Sequence, residues 1–353
     1  MTHPLLPQPL PYHRLARLSV RYRWWRPLVG TLFVAVAYVI TVGVLDAVIS
    51  GWGSSQGYPE APDGTVEFGP VPDTAVDLLL IAAGIPVVLL AVRWIGRRPA
   101  GTLSSVTGRV RWRWLALCAA LAVPIFGLAM GGVLLFPVDE GPEARWAGWD
   151  VFAPALAMLV VLVPLQAAAE EYVFRGWLTQ TVGAFLRSPW WALPPQALLF
   201  AAAHGWGTPW GFADLALFGM AAGWLTWRTG GLEAAMALHT VNNLLAFAIS
   251  AAVVDGLKSD DTAADAGWQL VALDVASIAL YAAAVVWLTR RHPPVRTAPA
   301  PLPPAQPVPF AGPYGPLPGP SAPFPWPGQP ASDIPVPPAH PGADPGARGA
   351  GRT

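Results

Sequence analysis

Cysteine is almost absent from this chain, since Cys118 is the single one among 353 residues. An intramolecular disulfide and a multi-cysteine metal site are therefore excluded. Charged residues are also scarce: they make up 12% of the chain, whereas 54% of the residues are hydrophobic. An average soluble domain has roughly 25% charged residues. The formal net charge is zero, which argues against a nucleic-acid partner. Together these shortages argue against a soluble domain and favour a membrane protein.

The apolar residues stand in solid runs and lack the alternation that a membrane β-barrel requires. A helix crosses ~30 Å of hydrocarbon with about 20 mostly apolar residues and satisfies its backbone polar groups internally. We therefore predict an all-α, polytopic membrane helix bundle over residues 27–292, with about eight transmembrane helices. The predicted spans are residues 27–50, 74–95, 114–137, 153–179, 190–206, 210–227, 231–254 and 267–289.

Basic residues are distributed unevenly between the predicted loops. Five arginines precede the first span and six lie between the second and the third, whereas the opposite loops hold only Arg145 and Lys258 as cations. Cytoplasmic loops carry an excess of Lys and Arg. Residues 1–26 are therefore predicted to be a basic cytoplasmic segment. We expect a multi-pass protein of the cell membrane with both termini in the cytoplasm.

Proline dominates residues 293–353, where helix-forming residues are nearly absent. This composition predicts a disordered, Pro/Gly-rich tail with polyproline II character. One interpretation is a solvated extension, and the other is a docking segment for a Pro-recognising partner. Neither interpretation gives the tail a catalytic part.

Two adjacent acidic residues, Glu170 and Glu171, end an otherwise apolar run. A carboxylate deep in hydrocarbon costs several kcal/mol unless it is paired, protonated or hydrated, so it is a functional candidate by default. Glu171 and Arg175 are four residues apart on one helix face, with the acid nearer the N-terminus, and are expected to neutralise each other in a supporting role. Glu170 points about 100° away, which leaves it free to face the bundle interior.

Two of the six histidines, His204 and His239, lie within the predicted spans. On the helix that carries His239, the side chain of Asn243 shares the same face. A single histidine in a spanning helix more often joins helices by a hydrogen bond than catalyses a reaction, and Asn commonly does the same. The combination of these three side chains with Glu170 is what favours a functional site over structural polar contacts.

Three ordered motifs on successive predicted helices resemble those of a known family. They are Glu170-Glu171-x-x-x-Arg175, Phe200-x-x-x-His204 and His239-x-x-x-Asn243. They are similar to the motifs of the CPBP intramembrane endopeptidases, which include type II CAAX prenyl proteases and bacteriocin-processing or self-immunity, Abi-like proteins. The resemblance covers residues 150–250. It implies an intramembrane endopeptidase that hydrolyses membrane-associated or lipidated substrates with a glutamate-activated water.

The resemblance also implies a role for each motif residue. Carried over to this sequence, Glu170 is the general base, and His204 helps to hold and polarise the water. His239 and Asn243 stabilise the oxyanion that forms on the substrate carbonyl. Substrate identity, including whether prenylated peptides are cleaved, does not follow from these motifs.

Zinc is the cofactor to consider for these residues. Glu170, His204 and His239 would supply two histidines and one carboxylate, a ligand set found in catalytic zinc sites, and members of this family have been called metalloproteases. However, the His-Glu-x-x-His pairing on one helix is absent from the sequence. We favour a glutamic mechanism without a cofactor and keep zinc as the alternative.

Two function classes remain open. The first is a protease, and the second is a catalytically silent membrane scaffold or bacteriocin self-immunity protein of the same fold. The intact motif set favours the protease, because a scaffold does not need an unpaired Glu170 beside two histidines. A transporter would predict polar residues along a path and an inverted repeat, and the sequence shows neither.

Overall fold

The computed structural model describes residues 8–133, 145–258 and 262–299. The predicted Pro-rich tail lies outside the described residues from residue 300 onward, so its Pro-recognising partner stays a prediction. The helices are α1 (Trp25–Gln56), α2 (Pro70–Ala82), α3 (Gly84–Trp94), α4 (Trp112–Val133), α5 (Trp149–Glu170), α6 (Thr179–Phe185), α7 (Leu193–Ala203), α8 (Pro209–Thr229), α9 (Glu233–Ala252) and α10 (Trp268–Arg291). A π-helical segment, Glu171–Leu178, joins α5 to α6.

The all-α membrane bundle is confirmed, and the number of spans differs from eight. In the described part of the chain, 6 helices are long and apolar enough to cross a membrane. They are Trp25–Gln56, Pro70–Trp94, Trp112–Gly132, Trp149–Phe185, Glu233–Ala252 and Trp268–Arg291. The predicted spans at 190–206 and 210–227 correspond to α7 and α8, which are not among the six. Helix α7 has 11 residues, and at ~1.5 Å per residue it is too short to cross ~30 Å of hydrocarbon.

Helix α7 is short because of the residues at its two ends. Two prolines follow Leu193 in its first turn, where a missing N–H costs nothing. After Ala203, the chain turns at Gly205, whose φ of 96° favours glycine. His204 therefore caps the C-terminal end of α7. His204 is half-buried at this end and lines the same cavity as Glu170.

Glycines on α8 let this helix approach α7 closely. A Cβ atom added at Gly219 would lie 2.7 Å from the Cα atom of Ala197, and one at Gly223 would lie 2.7 Å from Nε2 of Gln196. The spacing of two small residues four apart is the usual device for close packing of helices in membranes. It holds α7, and with it His204, against the rest of the bundle.

The central helices of the bundle are α5 and α9. Helix α5 packs against α2 and α9, and α9 also packs against α4. The side chains of Leu159 and Val163 on α5 and of Leu238 on α9 are fully buried in these contacts. Glu170 at the end of α5 and His239 on α9 therefore face each other across a packed pair of helices.

The first described residues fold against the bundle instead of forming a separate segment. Strand β1 (Leu10–Pro11) pairs antiparallel with β2 (Thr297–Ala298). A 3-10 helix, Tyr12–Leu18, then packs against α6 and buries Tyr12 and Leu15 completely. The domain boundaries at residues 26 and 293 stay a prediction.

Candidate active site

Two antiparallel helices, α5 and α9, bring polar side chains together at two levels. At the first level, Nδ2 of Asn243 donates a hydrogen bond to Oε1 of Gln166 over 3.2 Å. At the second, Nε2 of His239 lies 3.4 Å from Oε2 of Glu170. From the first level to the second, the chain advances one helical turn along α5, from Gln166 to Glu170. Along α9 it goes back one turn, from Asn243 to His239, as antiparallel helices require. We call these four residues the α5–α9 ladder.

The Glu171–Arg175 pair lies beside the ladder, fully buried. Nη1 of Arg175 is 3.0 Å from Oε1 of Glu171, and both side chains are 0% exposed. The guanidinium also stacks over the rings of Phe200 and Phe218, at 4.0 and 5.5 Å from their centroids. A buried cation requires such compensation, because leaving water is costly for an ion. The i,i+4 spacing in the sequence had predicted this contact.

His239 lies between the two adjacent glutamates, a position that the sequence did not predict. Its Nδ1 is 2.9 Å from Oε1 of Glu171, in hydrogen-bond geometry, while its Nε2 faces Glu170. The edges of Phe200 and Phe218 hold the ring from the sides, with centroid distances of 5.8 and 5.2 Å. Glu171 was expected to pair with Arg175 alone. Because a carboxylate accepts the Nδ1 hydrogen, Glu171 also fixes the orientation of the imidazole.

A cavity of about 580 Å³ opens beside Glu170 and His204. Its wall comes from α1, α2, α3, the end of α5, the π-helical segment and the end of α7, and most of the lining residues are apolar. Tyr38 from α1 and Thr31 are polar members of this wall. Nδ1 of His204 lies 2.9 Å from the carbonyl oxygen of Phe200. Since that carbonyl can only accept, Nδ1 donates and Nε2 is left for another partner.

Glu170 is the one motif residue that belongs both to the cavity wall and to the ladder among the described residues. Its side chain is 12% exposed, whereas that of Glu171 is 0% exposed. Oε2 of Glu170 accepts no hydrogen bond within the part of the chain that the structure describes. Of the two glutamates, Glu170 is therefore the one that a molecule in the cavity can reach. His239 faces Glu170 from α9, and Asn243, one turn further along that helix, is half-buried.

Zinc stays the alternative for Glu170, His204 and His239. No group of three or more His, Cys, Asp or Glu side chains in residues 8–133, 145–258 and 262–299 is arranged to hold an ion. A zinc ligand directs a free nitrogen or oxygen to the metal at about 2.0–2.2 Å. His204 keeps Nε2 free for such a bond, whereas both nitrogens of His239 face carboxylates. We derive no step through zinc.

Sequence reasoning missed two contacts at this site. One is the bond from Asn243 to Gln166, and the other is the bond from His239 to Glu171. The signal for the first was present, because Gln166 precedes Glu170 by one turn just as His239 precedes Asn243. Matching these two i,i+4 pairs across antiparallel helices would have suggested it.

Comparisons with known proteins agree with the motifs. Residues 151–245 match a family model described as "Type II CAAX prenyl endopeptidase Rce1-like". The chain is also 28% identical over 191 residues to the "Uncharacterized protein YyaK" of Bacillus subtilis (strain 168), a match that covers 52% of this chain and 62% of that relative. No solved structure matches the chain. The chain spans less than two thirds of that relative's length, and the matched residues 151–245, which carry all three motifs, are similar to type II CAAX prenyl endopeptidases.

Proposed function

We propose that this protein is an intramembrane endopeptidase that hydrolyses peptide bonds of membrane-associated or lipidated substrates. The observation that carries the proposal is the position of Glu170, which faces an apolar cavity within the bundle and lies next to His239. The family match over residues 151–245 supports the same activity. The excess of arginines around residues 1–26 further supports a bundle with both termini in the cytoplasm.

Each polar group has a defined role in the proposed hydrolysis. The carboxylate of Glu170 accepts a proton from water while the water oxygen bonds to the substrate carbonyl carbon. His204 lines the same cavity and holds that water through its free Nε2. Negative charge on the carbonyl oxygen is stabilised by an N–H of the Asn243 amide. His239 donates its Nδ1 hydrogen to Glu171 and faces Glu170 with Nε2, so its part is to position the base. The C–N bond then breaks, and the proton passes from Glu170 to the leaving nitrogen.

Comparing membrane proteomes tests this function even while the substrate is unidentified. Membranes that contain the wild-type protein are expected to yield peptides with new termini that are missing from membranes with Glu170→Ala. Glu67→Ala provides the matched control, because Glu67 is an exposed loop residue. Identical sets of termini for wild type and Glu170→Ala would contradict the proposal and leave the silent scaffold or self-immunity protein as the better interpretation.

A chelator distinguishes the glutamic mechanism from the zinc alternative. The purified protein in liposomes is expected to cleave a substrate peptide from that comparison at the same rate before and after treatment with 1,10-phenanthroline. The physical reason is that water is activated by a carboxylate in the proposed mechanism and by a metal in the alternative. Loss of cleavage that added Zn²⁺ restores would show that the mechanism is wrong.

A further inference from the structure

Gln166 is a buried amide in the middle of an apolar helix. Its side chain is 4% exposed, and its neighbours Val163 and Ala167 are fully buried. A buried amide is costly unless it forms hydrogen bonds. Within the described residues, its single hydrogen-bond partner is Nδ2 of Asn243. The position of Gln166 thus depends on Asn243, and the reverse also holds.

The bond to Gln166 restricts which end of the Asn243 amide faces α5. A carboxamide presents two N–H donors at one end and an acceptor oxygen at the other, and rotation by 180° about its bond to Cβ exchanges them. Because Oε1 of Gln166 accepts from Nδ2, the nitrogen end of Asn243 is turned toward α5, the helix that carries Glu170. One N–H is used in this bond, and the second remains available for a substrate oxygen.

We propose that Gln166 is a positioning residue that holds the Asn243 amide with its nitrogen toward the reaction centre. The inference rests on the proposed function, in which Asn243 donates a hydrogen bond to the oxyanion. Such donors act only when they are aimed before charge develops. Gln166 stands one turn before Glu170 on the same face of α5, so one helix carries both the base and the group that orients the donor.

Kinetics of Gln166→Met test the proposal, because methionine has a similar length and no hydrogen-bond acceptor of comparable strength. The substrate is a peptide from the proteome comparison, cleaved in proteoliposomes. We expect kcat to fall on the order of tenfold, which is part of the 10²–10³-fold effect of losing an oxyanion donor, with KM nearly unchanged. Combined with Asn243→Ala, the change should lower kcat no further than Asn243→Ala alone.

A second buried glutamine serves as the matched control. Gln180 on α6 is 0% exposed and donates to the carbonyl of Thr102 over 3.0 Å. Gln180→Met is expected to lower the melting temperature and to leave kcat within about twofold of wild type, as loss of a structural bond does. Equal loss of kcat in the two Met variants would show that Gln166 is merely structural and would overturn the proposal.

Gln166→Glu decides the question if Gln166→Met folds poorly. This variant keeps acceptor oxygens at the same place, and burial favours the neutral form of its carboxyl group, so kcat is expected to stay within about threefold of wild type. A kcat of Gln166→Glu as low as that of Asn243→Ala would contradict the inference. So would a kcat of the Gln166→Met, Asn243→Ala double variant that is lowered by the product of the two single effects. These failures differ from failure of the proposed function, which would show as full activity in Glu170→Ala.

Discussion

The Glu170→Gln protein is expected to fold normally and to lose at least about 10³-fold in kcat, because one group supplies both proton transfers and general acid–base catalysis contributes 10²–10⁴-fold. Glutamine has the shape of glutamate but cannot accept a proton from water. Initial rates of peptide cleavage in proteoliposomes measure the loss.

Stability separates this result from simple misfolding. Oε2 of Glu170 accepts no hydrogen bond within the described residues, so replacing the carboxylate removes little that holds the protein together. The melting temperature in detergent is expected to stay the same or to rise, as often happens when an active-site charge is removed. Glu67→Gln is the control for a glutamate in an exposed loop. Full activity of Glu170→Gln would rule out Glu170 as the general base.

The Glu171→Gln protein is expected to be strongly destabilised. Arg175 is 0% exposed and has Glu171 as its ion-pair partner at 3.0 Å. Removing one partner of a buried pair leaves an uncompensated charge, which costs about 3–5 kcal/mol. Glutamine still offers an oxygen to Nδ1 of His239, so the variant isolates the loss of charge. The melting temperature in detergent should fall by roughly 6–20 °C for a domain of this size.

A double variant and an exposed pair make this prediction specific. Glu171→Gln combined with Arg175→Met removes both charges and should regain most of the lost stability, because no buried ion remains unpaired. Lys258→Met breaks an ion pair with Asp255 in which the side chains are 58% and 66% exposed. That change should shift the melting temperature by no more than about 2 °C. A Glu171→Gln protein as stable as Lys258→Met would contradict the assignment.

The cleavage rate of Glu171→Gln adds information on His239. Because Glu171 holds Nδ1 of the imidazole at 2.9 Å, weakening that bond loosens the ring that faces Glu170. Arg175→Met alone leaves both carboxylates beside His239 without the guanidinium. Comparing the cleavage rates of Glu171→Gln and Arg175→Met separates two effects of the Glu171–Arg175 pair. One is the effect of its charge, and the other is its effect on the orientation of His239.

Local patterns in the sequence were sufficient for much of the architecture. Apolar runs of about 20 residues identify spanning helices because the thickness of the bilayer sets their length. The i,i+4 spacing of Glu171 and Arg175 predicted their contact, since helix geometry alone brings such side chains together. The three motifs indicated which family residues 151–245 resemble before any contact was known. Each of these inferences depends on residues within one helix or on their order along the chain.

Only the tertiary structure decided which side chains meet across helices. Gln166 and Asn243 are 77 residues apart, and His239 is 68 residues from Glu171. Such contacts depend on the rotation and register of packed helices, which hydropathy does not determine. The short α7, which ends at His204, was likewise predicted from the sequence to be a full span. The sequence by itself thus determined a membrane helix bundle with candidate catalytic residues and distinguished the free Glu170 from the paired Glu171, and packing decided that Glu171 also holds the histidine.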